Sequence, residues 1–250
     1  MIKKEIEIIS LIYKSVDYLN FIENQLLSNL CKSSEWDVHV RVVANDPTSS
    51  VLDALKTKRI PYTIYNDPYP KDFYLNRVYK CWNFAGETSK YSNICFVNSD
   101  MAFSDNWLTN LLKHHDGINI PCSRLVESNK MPSGTYGISQ NFGRKPKEIK
   151  LEEWNTYSNS VKEDKIYPGG LYMPCVFETS RFKESNMYPH GNVFRSDDHG
   201  LETGHPNDRP VYKSGDDYFF TDILKNKFNM KHITVFDSLV YHIQEGEKDE

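Results

Sequence analysis

Apolar positions recur at two periods along the first hundred residues, and the switches between them predict the elements. Glu5-Ile6-Glu7-Ile8-Ile9-Ser10-Leu11-Ile12 is rich in β-branched residues and predicts a first strand. Tyr18, Ile22, Leu26 and Leu30 then recur every fourth residue, a helical stripe with Asp17 placed to cap it. Val38-His39-Val40-Arg41-Val42-Val43 predicts a second strand. Ser50-Val51-Leu52-Asp53, with capping-box-like spacing, predicts the start of a second helix. Pro61 to Tyr65 predicts a short third strand, a helix runs through Leu75, Val78, Tyr79 and Trp82, and Ile94-Cys95-Phe96-Val97 predicts a fourth strand. Strands separated by helix-length segments imply right-handed crossovers, hence an α/β fold with a mostly parallel central sheet flanked by helices.

The second half is less regular. From about Pro121 to Tyr167 the chain is polar and punctuated by Gly134, Gly137, Gly143, Pro132 and Pro146, which predicts loops over a cleft. Gly170 to Phe177 reads as a strand, and Lys183 to Gly215 as a second long loop. A helix begins near Asp216 with Phe219, Phe220, Ile223, Leu224 and Phe228 on one face. His232 to Phe236 and Ser238 to His242 supply closing strand material.

Composition narrows the class. The chain has 250 residues, enough for one substantial domain, and its 39% apolar content excludes a disordered chain. A net charge of −4 argues against the basic face of a dedicated nucleic-acid binder. No apolar run approaches the roughly 20 residues that span a bilayer, and the charged run Met1 to Glu7 is unlike a secretory signal. The five cysteines are odd in number and show no C-x-x-C spacing, so the expectation is a soluble, reduced, cytoplasmic protein.

In an open parallel sheet, ligands bind beyond the carboxyl ends of the strands. Those ends carry Tyr13-Lys14-Ser15, Asn45-Asp46, Asn66-Asp67 and Asn98-Ser99-Asp100, three of the four with an acidic residue. Asp and Asn also form ordinary turns, so their joint placement matters more than any one of them. Asn76, the run Ile94 to Met101 and Trp107-Leu108, with Gly215-Asp216-Asp217-Tyr218 and Tyr241-His242 further on, resemble GT-A glycosyltransferases of the inverting family-2 type. That family carries an Asp-x-Asp motif at this strand end, and here its first position is Asn98.

The resemblance implies a Rossmann-like GT-A fold in which residues 1–115 bind a nucleotide-sugar donor and residues 116–250 form the acceptor-binding, catalytic half of the same domain. It implies a donor site of Leu11, Ile12, Tyr13, Asp46, Asn76, Arg77, Asn98, Ser99 and Asp100. Asp100 would ligate a divalent metal, Mn²⁺ or Mg²⁺, with His242 as second ligand; imidazole suits Mn²⁺. Asp217 would be the general base and Asp216 would bind acceptor hydroxyls, the acceptor being a glycan, a small molecule or a modified nucleic-acid base. Each residue also has a plainer role: His242 as a half-buried strand-end histidine, Asp46 in a turn set by Pro47, Arg77 as a solvated helix residue, Asp216 or Asp217 as a helix cap. Asp197-Asp198-His199, His205 and Asp208 lack a compact ligand pattern and read as a loop rather than a metal cluster. Trp154, Tyr157 and Tyr172 are candidates to stack on a sugar, with core packing as the default for aromatics.

The competing readings are a retaining enzyme of the same fold, a nucleotidyltransferase, and a degenerate sugar- or nucleic-acid-binding module. The second commonly has a Gly-rich phosphate loop near the first strand, and Leu11 to Ser15 has no glycine.

Overall fold

The computed structural model describes residues 3–29, 35–69, 73–195, 201–204 and 211–244. The first half follows the predicted alternation: β1 (Lys4–Ile12), α1 (Val16–Ser28), β2 (Trp36–Asn45), α2 (Ser49–Leu55), β3 (Tyr62–Tyr65), α3 (Tyr74–Thr88), β4 (Asn93–Val97), β5 (Met101–Phe103) and α4 (Trp107–Leu112). Two caps differ from expectation. Ser15, not Asp17, accepts the N–H of Tyr18 at the start of α1, and Thr48, not Ser50, accepts the N–H of Val51 at the start of α2. In each case the hydroxyl lies just outside the helix, where extended backbone lets it fold back on the first turn. Leu30, the last of the predicted α1 stripe, lies outside the described residues.

The second half contains more regular structure than its polar sequence suggests. It runs β6 (Asn119–Glu127), β7 (Ile138–Ser139), α5 (Leu151–Ser160), β8 (Ile166–Pro168), β9 (Cys175–Glu178), α6 (Thr179–Glu184) and β10 (Asn192–Arg195). Then follow β11 (Leu201–Gly204), β12 (Val211–Lys213), α7 (Gly215–Tyr218), a π-helical stretch Phe219–Lys225, α8 (Asn226–Phe228) and β13 (Lys231–His242). The two predicted closing strands are one, with a bulge between Val235 and Leu239.

The main sheet is ordered β3-β2-β1-β4-β9-β6-β13-β5. β3, β2, β1 and β4 are mutually parallel, β13 runs parallel to β6, and β9 is inserted antiparallel between the two groups. Successive residues of a strand face opposite sides, so Ile6, Ile8 and Ile12 pack on one face while Ile9 packs on the other. Burial on both faces explains why these strands read as continuous apolar runs. On the second face Trp82, Phe96, Phe177, Phe182, Tyr188 and Phe219 form an aromatic cluster that seats α3, α6 and the π-helical stretch. Among the described residues no helix is long and apolar enough to cross a membrane, and Cys81, Cys95, Cys122 and Cys175 are buried free thiols.

Candidate active site

The carboxyl ends of β1, β2, β4 and β13 open onto a cavity of about 640 Å³, with α3 forming one wall. Leu11, Ile12 and Tyr13 reach it from the end of β1, Arg77 from α3, Asn98, Ser99 and Asp100 from the turn after β4, and His242 from the end of β13. Eight of the residues expected from sequence therefore share one cavity.

Strand register accounts for the meeting of Asp100 and His242. β13 pairs antiparallel with β5 so that His242 faces Met101, the residue after Asp100. The N–H of Ile243 also donates to the Asp100 carbonyl at 3.0 Å. The Nε2 of His242 consequently lies 3.2 Å from Asp100 Oδ2. On the other side, the parallel pairing of β13 with β6 places His242 opposite Glu127, and Nδ1 lies 3.4 Å from Glu127 Oε1. Burial alone would lower the pKa of His242; the two carboxylates outweigh it and raise it to about 10. Burial would likewise raise Glu127, but its bond to His242 and the N–H donors of Gly134 and Gln244 hold it below the usual value.

Once His242 gives up its Nε2 proton, this pair could hold a divalent cation. Neighbouring ligands of an octahedral ion at about 2.1 Å stand about 3 Å apart, close to the 3.2 Å between Asp100 Oδ2 and His242 Nε2. A carboxylate on the far nitrogen of the imidazole is the usual support of a metal-ligating histidine. One carboxylate with one imidazole suits Mn²⁺ and related ions better than Ca²⁺.

On the β1 side of the cavity, Arg77 Nη2 donates to the Tyr13 hydroxyl at 2.9 Å, and its guanidinium lies 5.0 Å from the centre of that ring. Arg77 also pairs with Asp46 Oδ2 at 3.5 Å, while Asp46 Oδ1 accepts the N–H of Asp67 at 2.8 Å. Asp46 is thus committed to Arg77 and the turn, and it does not line the cavity. Asn45 lines it instead, buried, with an Oδ1 that has no hydrogen-bond partner among the described residues. Asn76 is buried and also falls outside the lining, which α3 supplies mainly through Leu75, Val78 and Trp82 on one helical face.

No family model matches the chain, and no curated protein matches it in sequence. Solved structures do match in three dimensions. A crystal structure of S. aureus TarS residues 1–349 superposes with a TM-score of 0.55 at 15% identity, over 95% of this chain and 60% of that one. GalNAc-T7, with UDP, GalNAc and Mn²⁺, gives 0.56 at 10% identity over 96% of this chain and 44% of its own. The mannosyltransferase PcManGT from Pyrobaculum calidifontis, with GDP-Man and Mn²⁺, gives 0.53 at 13% identity over 98% and 59%. The chain has the GT-A fold. It spans less than two thirds of the length of these structures.

Within the GT-A frame, Asp216 and Asp217 lie in the single turn α7, outside the cavity lining. Ser214 is the N-cap, accepting the N–H of Asp217 and donating to Asp216 Oδ1 at 2.5 Å. The same Asp216 oxygen accepts the N–H of Asp217 at 2.9 Å, so this carboxylate serves the cap. Asp217 Oδ1 instead accepts the Tyr172 hydroxyl at 2.8 Å. Burial raises Tyr172 well above the ordinary tyrosine pKa, and Asp217 raises it further. Two contacts tie this turn to the ligand edge. The N–H of Asp216 donates to the hydroxyl of Tyr79, which follows cavity-lining Val78. Tyr172 leads into β9, whose first residue, Cys175, pairs with Phe96 beside the Asn98-Ser99-Asp100 turn. Gly215 is required here: a Cβ would come within 2.5 Å of the Gly191 carbonyl and 2.7 Å of the Tyr79 ring.

Three lining residues (Tyr74, Met131 and Gln244) and the supporting Glu127 are not singled out in the sequence, and Asn45 is named there only as part of its strand end. Glu127 is an acid at a strand end, as Asp100 is, but it lies in the Pro121–Tyr167 stretch that reads as loop. Trp154 is fully buried and so is not presented to a sugar, Tyr157 packs half-buried against the core, and Tyr172 holds Asp217. The segment Asp197-Asp198-His199, His205 and Asp208 lies outside the described residues.

Proposed function

We propose that this chain transfers a sugar from a nucleoside-diphosphate donor, UDP-linked in the simplest case, to an acceptor hydroxyl with inversion. The observation that carries this reading is the convergence of Asp100 and His242 at 3.2 Å, in a cavity also lined by Leu11, Tyr13 and Arg77. The structural neighbours support it: GalNAc-T7 and PcManGT were solved with a nucleotide or nucleotide-sugar and Mn²⁺, and TarS residues 1–349 with UDP-GlcNAc.

In this mechanism residues 1–115 supply most of the donor cavity and residues 116–250 supply His242 and the base. Asp100 and His242 would hold a divalent cation, Mn²⁺ or Mg²⁺, which when bound neutralises the diphosphate charge that grows as the glycosidic bond breaks. Tyr13 and Arg77 flank the nucleoside, with Arg77 placed to counter a phosphate. Asp217, oriented through one oxygen by Tyr172, removes the acceptor proton with the other while the acceptor oxygen attacks the sugar carbon. Asp216 keeps α7 in place and meets the acceptor's other hydroxyls.

Thermal unfolding tests the donor site. UDP is expected to raise the midpoint only in the presence of Mn²⁺ or Mg²⁺, and Asp100→Ala to abolish that rise. Equal stabilisation by UDP in a chelator would refute the metal-assisted reading.

A further inference from the structure

Glu127 is a buried acid, and the basic side chain it bonds is His242. Its carboxylate is fixed on every side. Oε1 takes His242 Nδ1 at 3.4 Å and Gln244 Nε2 at 2.9 Å, and Oε2 takes the N–H of Gly134 at 3.2 Å. Gln244 is pinned in turn, its Oε1 accepting the N–H groups of Lys130 at 3.2 Å and Met131 at 3.4 Å. The arrangement fixes one ring orientation of His242. With Nδ1 turned to Glu127, only Nε2 faces Asp100 and the cavity.

Burying a carboxylate is costly unless its charge is used. The bonds from Gly134 and Gln244 offset part of that cost, and the bond to His242 sets the charge against an imidazole. The carboxylate gains a purpose if the imidazole it holds must donate electron density through the opposite nitrogen. We propose that Glu127 is a positioning residue that sets both the affinity and the choice of the cation at Asp100 and His242, favouring Mn²⁺ over Mg²⁺. The inference rests on the donor-metal reading above. A negative oxygen on Nδ1–H makes Nε2 a better ligand, and outer-shell partners of this kind are worth about 10–100-fold in metal affinity. The gain goes to ions that accept nitrogen ligands. Mg²⁺, which prefers oxygen and keeps its waters, draws little from the imidazole. Gln244 extends the same chain of bonds to Met131, so the cavity wall and the imidazole share one support.

Binding of Mn²⁺ to the full chain with saturating UDP, followed by the loss of the free-ion electron paramagnetic resonance signal, tests this directly. A parallel titration with Mg²⁺ as competitor gives the selectivity. Glu127→Gln is expected to weaken Mn²⁺ about 10–100-fold and Mg²⁺ by clearly less, so the Mn²⁺ preference narrows. Glu127→Asp, which keeps the charge but withdraws it by one methylene, is expected to fall between wild type and Glu127→Gln; it carries the test if the amide variant does not fold. Unchanged Mn²⁺ affinity, or equal weakening of both ions, would make Glu127 merely structural and overturn the proposal. Failure of the wild type to bind Mn²⁺ with UDP would instead overturn the donor-metal reading itself.

Discussion

The carboxylate of Asp217 is shared between a tyrosine and, in the mechanism above, an acceptor hydroxyl. Asn in its place retains an oxygen that can accept from Tyr172 at the same 2.8 Å site, but it cannot take a proton. Asp217→Asn is therefore expected to bind UDP with metal as tightly as wild type, by calorimetry, while sugar transfer falls about 10²–10⁴-fold. Turnover near the wild-type rate would move the base to another residue. As two acids at a helix start Asp216 and Asp217 look alike in the local sequence; the resemblance gives the base to Asp217, and the hydrogen bonds give the two carboxylates different partners. Asp46 presents a related case. Sequence shows that a carboxylate stands past β2 but not that Arg77, a helix away, claims it and leaves Asn45 on the cavity.

The elements that sequence made legible are those with a single strong period. β1, β2, α3 and β4 have apolar repeats long enough to declare themselves, and they line much of the cavity. β6 was hidden because Pro121, Ser123 and Arg124 interrupt its apolar run. Pro lacks an amide hydrogen and is seldom found in a central strand; here pairing with β9 is confined to Cys122 and Cys175, which leaves room for one. The strand β2 shows another cost of polarity in a sheet. Arg41 meets Glu7 of β1 through Nε at 2.9 Å and Nη2 at 3.1 Å, and donates to Thr63 beyond β2 and to Thr88 and Ala85 of α3. Both side chains are buried, so Arg41→Met strands a charge and is expected to cost about 3–5 kcal/mol in urea denaturation. The double variant Glu7→Leu with Arg41→Met removes both charges and should recover most of that loss. A double variant as unstable as the single one would show that the bonds to Thr63, Thr88 and Ala85 matter more than the ion pair.

At the scale of the whole molecule, acid should loosen the fold from a definable place. His232 of β13 packs against Tyr172 and Phe220, with ring centres 5.3 and 4.8 Å away, and its Nε2 meets the Leu171 carbonyl at 3.1 Å. Burial lowers its pKa to about 4, with the Leu171 contact opposing only in part. Burial lowers His115 in the same direction. A histidine depressed in the folded state leaves the unfolded chain with more protons between its two pKa values. Stability must therefore fall as pH drops from about 6.5 towards 4, and this contribution levels off below. A shift of that size corresponds to at most about 3 kcal/mol, and partial exposure of the ring brings the expectation nearer 2. Urea denaturation of the metal-free protein at several pH values, beside His232→Gln, isolates the effect from that of the carboxylates. The variant is expected to lose about 1–2 kcal/mol of the wild-type pH dependence across this window; an identical slope would place the acid sensitivity elsewhere. Because the segment that His232 contacts also carries Tyr172, protonation strains the support of Asp217 before it threatens the sheet. Hydrogen exchange near pH 5 should accordingly accelerate at residues 169–174 ahead of β1 and β4.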